Sequence, residues 1–161
     1  MHGSCARAKI LAGRIWKHSR HIKDVEVALA PPFTALSSVR SKLNRCTIHL
    51  AAQNVHWKSS GAFTGEISPK MLRELGCKYV IVGHSERRHL FHEDNQSIAK
   101  KIVALLHEGL SPILCVGETL KERNQGKTVQ VISRQVLLAL KGLSKSAIEA
   151  ITYAYEPVWA I

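Results

Sequence analysis

The chain has 161 residues, 45% hydrophobic and 22% charged, which suits one soluble domain with a sizeable core and not a chain disordered throughout. No apolar run approaches the roughly 18 residues of a spanning helix and no secretory apolar stretch precedes the early charges, so neither a membrane nor a secretory role is expected. The formal charge is +11, but neither an aromatic-basic RNA-binding signature nor a zinc-finger spacing accompanies it, and nucleic acid is not an expected partner.

Residues 1–24 carry Arg7, Lys9, Arg14, Lys17, Arg20 and Lys23 before or beside the first acid, Asp24. They read as a basic leader, a poorly ordered solvated terminus or a scrambled junction, ahead of a domain over 25–161. The run VEVALAPP (Val25 to Pro32) is β-branched and apolar and is stopped by two prolines, as a buried strand is. FTALSSVRSKL then puts Leu36, Val39 and Leu43 at helical spacing. CTIHLAAQN (Cys46 to Asn54) is a second strand, followed by a Gly- and Ser-containing segment and by PKMLRELG, a helix with Ser68 as its N-cap and Pro69 at its first position.

CKYVIVGH (Cys77 to His84) is a third strand. A helix near Asn95 to Glu108 presents Ile98, Ile102, Leu105 and Leu106 on one face and stops at Gly109. SPILCVGE is a fourth strand. A long helix over Gly126 to Leu143 is expected to turn Val129, Ile132, Val136, Leu137 and Leu140 inward, and AITYAYE is a fifth strand. Strands apolar on both faces, alternating with amphipathic helices, predict a parallel α/β sheet covered by helices. Periodicity alone leaves a doubly wound sheet and a (β/α)8 barrel open. Polar residues gather just after each strand (Gln53-Asn54, His84-Ser85-Glu86, Gly117-Glu118, Glu156), where such sheets keep their sites. The absence of a G-x-G-x-x-G or Walker-type loop favours the barrel.

Two of those residues suit chemistry. His84 stands where a strand turns into the dipole of any helix starting at Ser85, which favours a neutral imidazole able to donate a hydrogen bond. Glu156 ends the fifth strand ahead of Pro157, and a carboxylate packed beside Trp159 and Ile161 could serve as a base near neutrality. A structural histidine and a solvated turn acid are the plain alternatives. His89 and His92 have no further ligand beside them and read as surface, so no metal is expected. Cys5, Cys46, Cys77 and Cys115 form no CxxC pair, which points to reduced thiols in a cytoplasmic setting and not to a zinc site or disulfides.

A neutral electrophile and a carboxylate at one end of a sheet suit proton abstraction beside a carbonyl. YVIVGHSERR, AAQNVHWKSSGAFTGEIS, PILCVGE and AYEPVWAI resemble, in order and spacing, the signature segments of triosephosphate isomerase. The resemblance implies a TIM barrel and the interconversion of dihydroxyacetone phosphate and glyceraldehyde 3-phosphate, in glycolysis and gluconeogenesis, without a cofactor. It implies Glu156 as the proton shuttle and His84 as the group polarising the carbonyls, a pairing known in this enzyme. Ser85, Glu86 and Cys115 would support the site. It also implies a homodimer, with Gln53, Asn54, Phe63, Thr64, Gly65 and Glu66 at the interface and Thr64 reaching the rim of the partner's active site.

The family's first strand carries an asparagine and a substrate-binding lysine. Lys17 of LAGRIWKHSR is its nearest counterpart here, although Arg14-Ile15 stands where asparagine would be. A barrel of this type needs about 250 residues, so the expectation is an incomplete barrel holding five of eight strands. The lid that should follow Trp159 and the strands that hold the substrate phosphate would be missing. The alternative to a working isomerase is therefore an inactive fragment, or a non-catalytic interaction protein on the same scaffold.

Overall fold

In the computed structural model, which describes residues 2–44 and 46–161, the five apolar runs all enter one parallel sheet. Its strands are β1 (Ala28–Leu29), β2 (His49–Ala52), β3 (Cys77–Val82), β4 (Ser111–Val116) and β5 (Thr152–Tyr155). They lie side by side in chain order, and the sheet curls through 200°. That curl and order make a half-barrel, an incomplete (β/α)8 TIM barrel. β1 is shorter than the predicted strand over 25–32. Only Ala28 and Leu29 join the ladder, with the Val27 carbonyl accepting from His49 N at 2.8 Å.

Helices cover the outer face: α1 (Cys5–Ser19), α2 (Leu36–Leu43), α3 (Pro69–Glu74), α4 (Ser85–Leu90), α5 (Asn95–His107), α6 (Leu120–Asn124), α7 (Thr128–Leu140) and α8 (Lys145–Glu149). Where period and caps agree, expectation and structure coincide. Leu36, Val39 and Leu43 of α2 are buried, as are Ile98, Ile102 and Leu105 of α5. The Ser68 hydroxyl accepts from Met71 N at 3.3 Å, with Pro69 opening α3. Leu50, Val80, Val82 and Leu114 of the strands meet these helices in one core.

Two expectations are corrected. The segment read as a poorly ordered leader is largely helix α1, capped by the Ser4 hydroxyl, which accepts from Arg7 N at 3.3 Å. Ala8, Ala12, Ile15 and Trp16 form its packed stripe, and α1 lies against α2. The basic residues that suggested a solvated arm occupy its other faces. In α7, Val129 and Leu137 are not inward but 76% and 70% exposed. Ile132, Val136, Ala139 and Leu140 meet the core instead, because a helix resting on one sheet face buries only one stripe.

Candidate active site

The carboxyl ends of β3, β4 and β5 converge on His84 and Glu156. His84 is the N-cap of α4, and its Nδ1 accepts from Glu86 N at 3.3 Å. A ring that accepts at Nδ1 is the neutral tautomer with its proton on Nε2. Nε2 lies 3.7 Å from Glu156 Oε2, and Nδ1 lies 3.7 Å from Glu86 Oε2. The proton-bearing nitrogen thus faces the carboxylate, and a separation longer than a hydrogen bond leaves both groups available to adjacent atoms of one small molecule.

Neighbouring strands hold both groups. Glu156 N donates to the Val116 carbonyl at 2.9 Å, continuing the β4–β5 ladder by one step. Gly117 lies directly against that step. A Cβ at Gly117 would fall 2.0 Å from the Glu156 carbonyl oxygen, so no other residue fits. The Gln135 side chain of α7 secures Gly117 twice, accepting from its N–H at 3.0 Å and donating to its carbonyl at 3.1 Å.

Arg88 ties the His84 turn to β4. Its guanidinium donates to the carbonyls of Gly83 (2.6 Å) and Cys115 (3.2 Å) and to Asn95 Oδ1 (2.7 Å). Ser85, Cys115 and Glu156 line one small crevice with Gly83, Arg88 and Gly117. Burial, reinforced by the Glu156 charge, pushes the Cys115 thiol up to about 11.

Beyond Glu156, a buried acid holds the chain. Glu118 is 0% exposed and accepts from Trp159 Nε1 at 3.1 Å and Tyr155 OH at 3.1 Å. Arg123 approaches it to 3.5 Å and stacks on the Trp159 ring. The Glu118 carbonyl accepts from Val158 N at 3.0 Å. Burial alone would raise this carboxyl, but the donors from Trp159, Tyr155 and Arg123 outweigh it and hold it below the usual range.

A family model described as triosephosphate isomerase matches residues 1–161, the whole chain. The chain belongs to the triosephosphate isomerase family. The triosephosphate isomerase of Syntrophotalea carbinolica is 48% identical over 161 residues, covering 100% of this chain and 64% of that protein. That of Dictyoglomus thermophilum is 47% identical over 161 residues, 100% of this chain and 65% of its own. That of Aquifex aeolicus is 52% identical over 145 residues, 90% and 58%. The chain therefore spans less than two thirds of the length of these relatives.

Residue 1 lies inside the family match, so α1 belongs to the triosephosphate isomerase region and not to an appended arm. Lys17 is not brought to His84 and Glu156. It stands exposed in the last turn of α1, on a helix and not at a strand end. After β2, Gln53 donates to the Ala30 carbonyl at 2.9 Å, and Asn54 Oδ1 accepts from Lys101 Nζ at 2.8 Å. Lys101 is 4% exposed and also pairs with Glu93. The following segment closes on itself through His56 N, which donates to the Ile67 carbonyl at 2.8 Å, and His56 stacks on Trp57 and meets Phe63. Phe63, Thr64, Gly65 and Glu66 project from it, exposed.

Sequence reasoning missed the supporting roles of Arg88, Gln135 and Glu118. The only local sign was an acid directly after a strand, Glu118. Among the described residues no helix is long and apolar enough to cross a membrane.

Proposed function

We propose that this site carries out the proton transfer of triose phosphate isomerisation. Glu156 removes a proton from the carbon next to the carbonyl of dihydroxyacetone phosphate and returns it to the adjacent carbon, giving glyceraldehyde 3-phosphate. His84 donates from Nε2–H to the oxygen on which charge develops, so the intermediate is an enediol or enediolate. Glu86 keeps the Nε2–H tautomer in place through its backbone N–H at Nδ1. Ser85 and Cys115 support the Glu156 side of the crevice. No cofactor is needed, because one proton passes from C1 to C2 and one from the C1 hydroxyl to the C2 oxygen, with no net oxidation or reduction.

The observation that carries this reading is the 3.7 Å approach of His84 Nε2 to Glu156 Oε2, with Nδ1 already occupied by a backbone donor. The setting is a cytoplasmic homodimer in which Gln53, Asn54, Phe63, Thr64, Gly65 and Glu66 contribute to the interface. The closing of the 55–67 segment by the bond from His56 N to the Ile67 carbonyl and the exposure of Phe63 support that placement.

The test is exchange of deuterium from heavy water into dihydroxyacetone phosphate, followed by NMR. It is run on the chain alone and on the chain mixed with a polypeptide covering the rest of the Syntrophotalea carbinolica relative. Exchange in the mixture that disappears in Glu156→Gln is the expected result. Exchange that survives Glu156→Gln, or a stable mixed complex that exchanges nothing, would overturn the assignment.

A further inference from the structure

α5 carries a second apolar strip beside the one it buries. Ile98, Ile102 and Leu105 are fully buried in the core, whereas Val103 stands outward and is 53% exposed. With Ala99 and Ala104 it forms one wall of a cleft of about 520 Å³, and Trp57 with Pro69, at the start of α3, forms the other. Both walls come from the stretch between β2 and β4, in the middle of the sheet. None of the residues assigned to the dimer interface lines the cleft. Its size falls within the range of about 300–1,000 Å³ that small-molecule sites occupy.

The Trp57 wall is held from behind. His56 N donates to the Ile67 carbonyl at 2.8 Å, and Lys58 N donates to His56 Nδ1 at 3.1 Å. The imidazole so fixed stacks on the Trp57 ring, with centres 4.2 Å apart and planes 24° from parallel. The indole is therefore a rigid flat surface, and the alanines facing it leave the gap thin. A thin gap beside an aromatic wall suits another ring better than a branched aliphatic group.

Charge selects the rest of the ligand. Lys58, Lys100 and His107 stand around the cleft with a single acid, Glu108. Arg73 of α3 engages that acid at 3.4 Å, so it does little to offset the lysines. Lys100 Nζ rests 5.4 Å from the centre of the Trp57 ring, within cation–π reach. A ring entering the cleft thus meets an ammonium already poised at its edge. We propose that this cleft binds a flat aromatic monoanion of one or two rings, an arenecarboxylate or arenesulfonate, with its ring against Trp57, Pro69 and Val103 and its acid group at Lys58 and Lys100.

This stands apart from the isomerase reading, because binding is measured without turnover. The probe is trifluoromethyl-diazirinyl benzoate, a photoactivated aromatic carboxylate, compared on the full chain with its neutral benzyl alcohol analogue. Peptide mass mapping should place the benzoate label on the peptides carrying Trp57 and Val103, roughly tenfold above the alcohol at low salt and less so as salt rises. Naphthoate should compete the label away at concentrations where octanoate does not. Lys100→Glu sets a like charge against the acid group and should cut labelling by the benzoate roughly tenfold while leaving the alcohol unaffected. Val103→Asp, also at an exposed position, should do the same, with circular dichroism showing the fold retained in both variants. Label found chiefly elsewhere, equal labelling by acid and alcohol, octanoate competing as well as naphthoate, or undiminished labelling in Lys100→Glu would overturn the proposal.

Discussion

Replacing Gly117 by alanine tests how tightly the Glu156 position depends on its neighbour. The added Cβ would lie 2.0 Å from the Glu156 carbonyl oxygen, 2.8 Å from its carbonyl carbon and 3.4 Å from the Pro157 Cα, all of them backbone. An uncrowded carbon–oxygen contact needs roughly 3.4 Å, so the Glu156 carbonyl must retreat by about 1 Å or more. That movement breaks the 2.9 Å bond from Glu156 N to the Val116 carbonyl and carries the carboxylate away from His84. Overpacking of this kind costs about 1–3 kcal/mol, and a 1 Å misplacement of a reacting group costs about 100-fold in rate. Urea unfolding followed by circular dichroism should show the lower midpoint, and the deuterium-exchange assay on the mixture should show the lost rate. Gly13→Ala is the control, since its Cβ would meet only the flexible end of Lys42, at 2.6 Å, and alanine favours the helix. An unchanged midpoint and exchange rate in Gly117→Ala would refute the close approach on which the reasoning rests.

Gln135→Leu should leave both polar groups of Gly117 unpaired and lower stability by about 2 kcal/mol, whereas Gln135→Glu keeps the acceptor for Gly117 N–H and should lose roughly half as much in the same urea experiment. The folded Glu118 carboxyl lies below its ordinary value of 4.5, so its stabilisation is full above that value and is lost as pH falls through the lower, folded value. The Trp159 fluorescence component, obtained by subtracting a Trp159→Phe variant, should hold steady down to pH 4.5 and change only below it; a transition above 4.5 would contradict the assignment. Burial pushes both Cys77 and Cys115 up to about 11, while Cys5 is exposed. Iodoacetamide at mildly alkaline pH should therefore modify Cys5 first and reach Cys77 and Cys115 only on unfolding, as peptide mass mapping would record.

The sequence was readable where a local rule matches the final packing. The spacing of Leu36, Val39 and Leu43, the Ser68-Pro69 start and the Ile98–Leu105 face each record one helix meeting one sheet. His84 and Glu156 were visible because strand ends on a parallel sheet converge. α1 was hidden because its stripe of Ala8, Ala12, Ile15 and Trp16 is made mostly of small or aromatic residues among many cations. Val129 and Leu137 misled because periodicity finds an apolar face but not which part of it has a neighbour. Helix α6 carried a legible sign in Thr119 and Glu122, which form a reciprocal capping box. Arg88 and Gln135 gave none, since both act on main-chain groups distant in sequence.

His84 follows β3, Glu156 follows β5, and β4 lies between them. Their separation is therefore inherited from two ladders, Tyr79 to Val82 against Ser111 to Leu114 and Ile113 to Val116 against Thr152 to Tyr155. A slip of one residue in either ladder would displace one partner by about 3.3 Å and turn its strand's side chains to the opposite face. The precision of the pair is thus a property of strand alignment, so mutations deep under the sheet can detune it without touching either group.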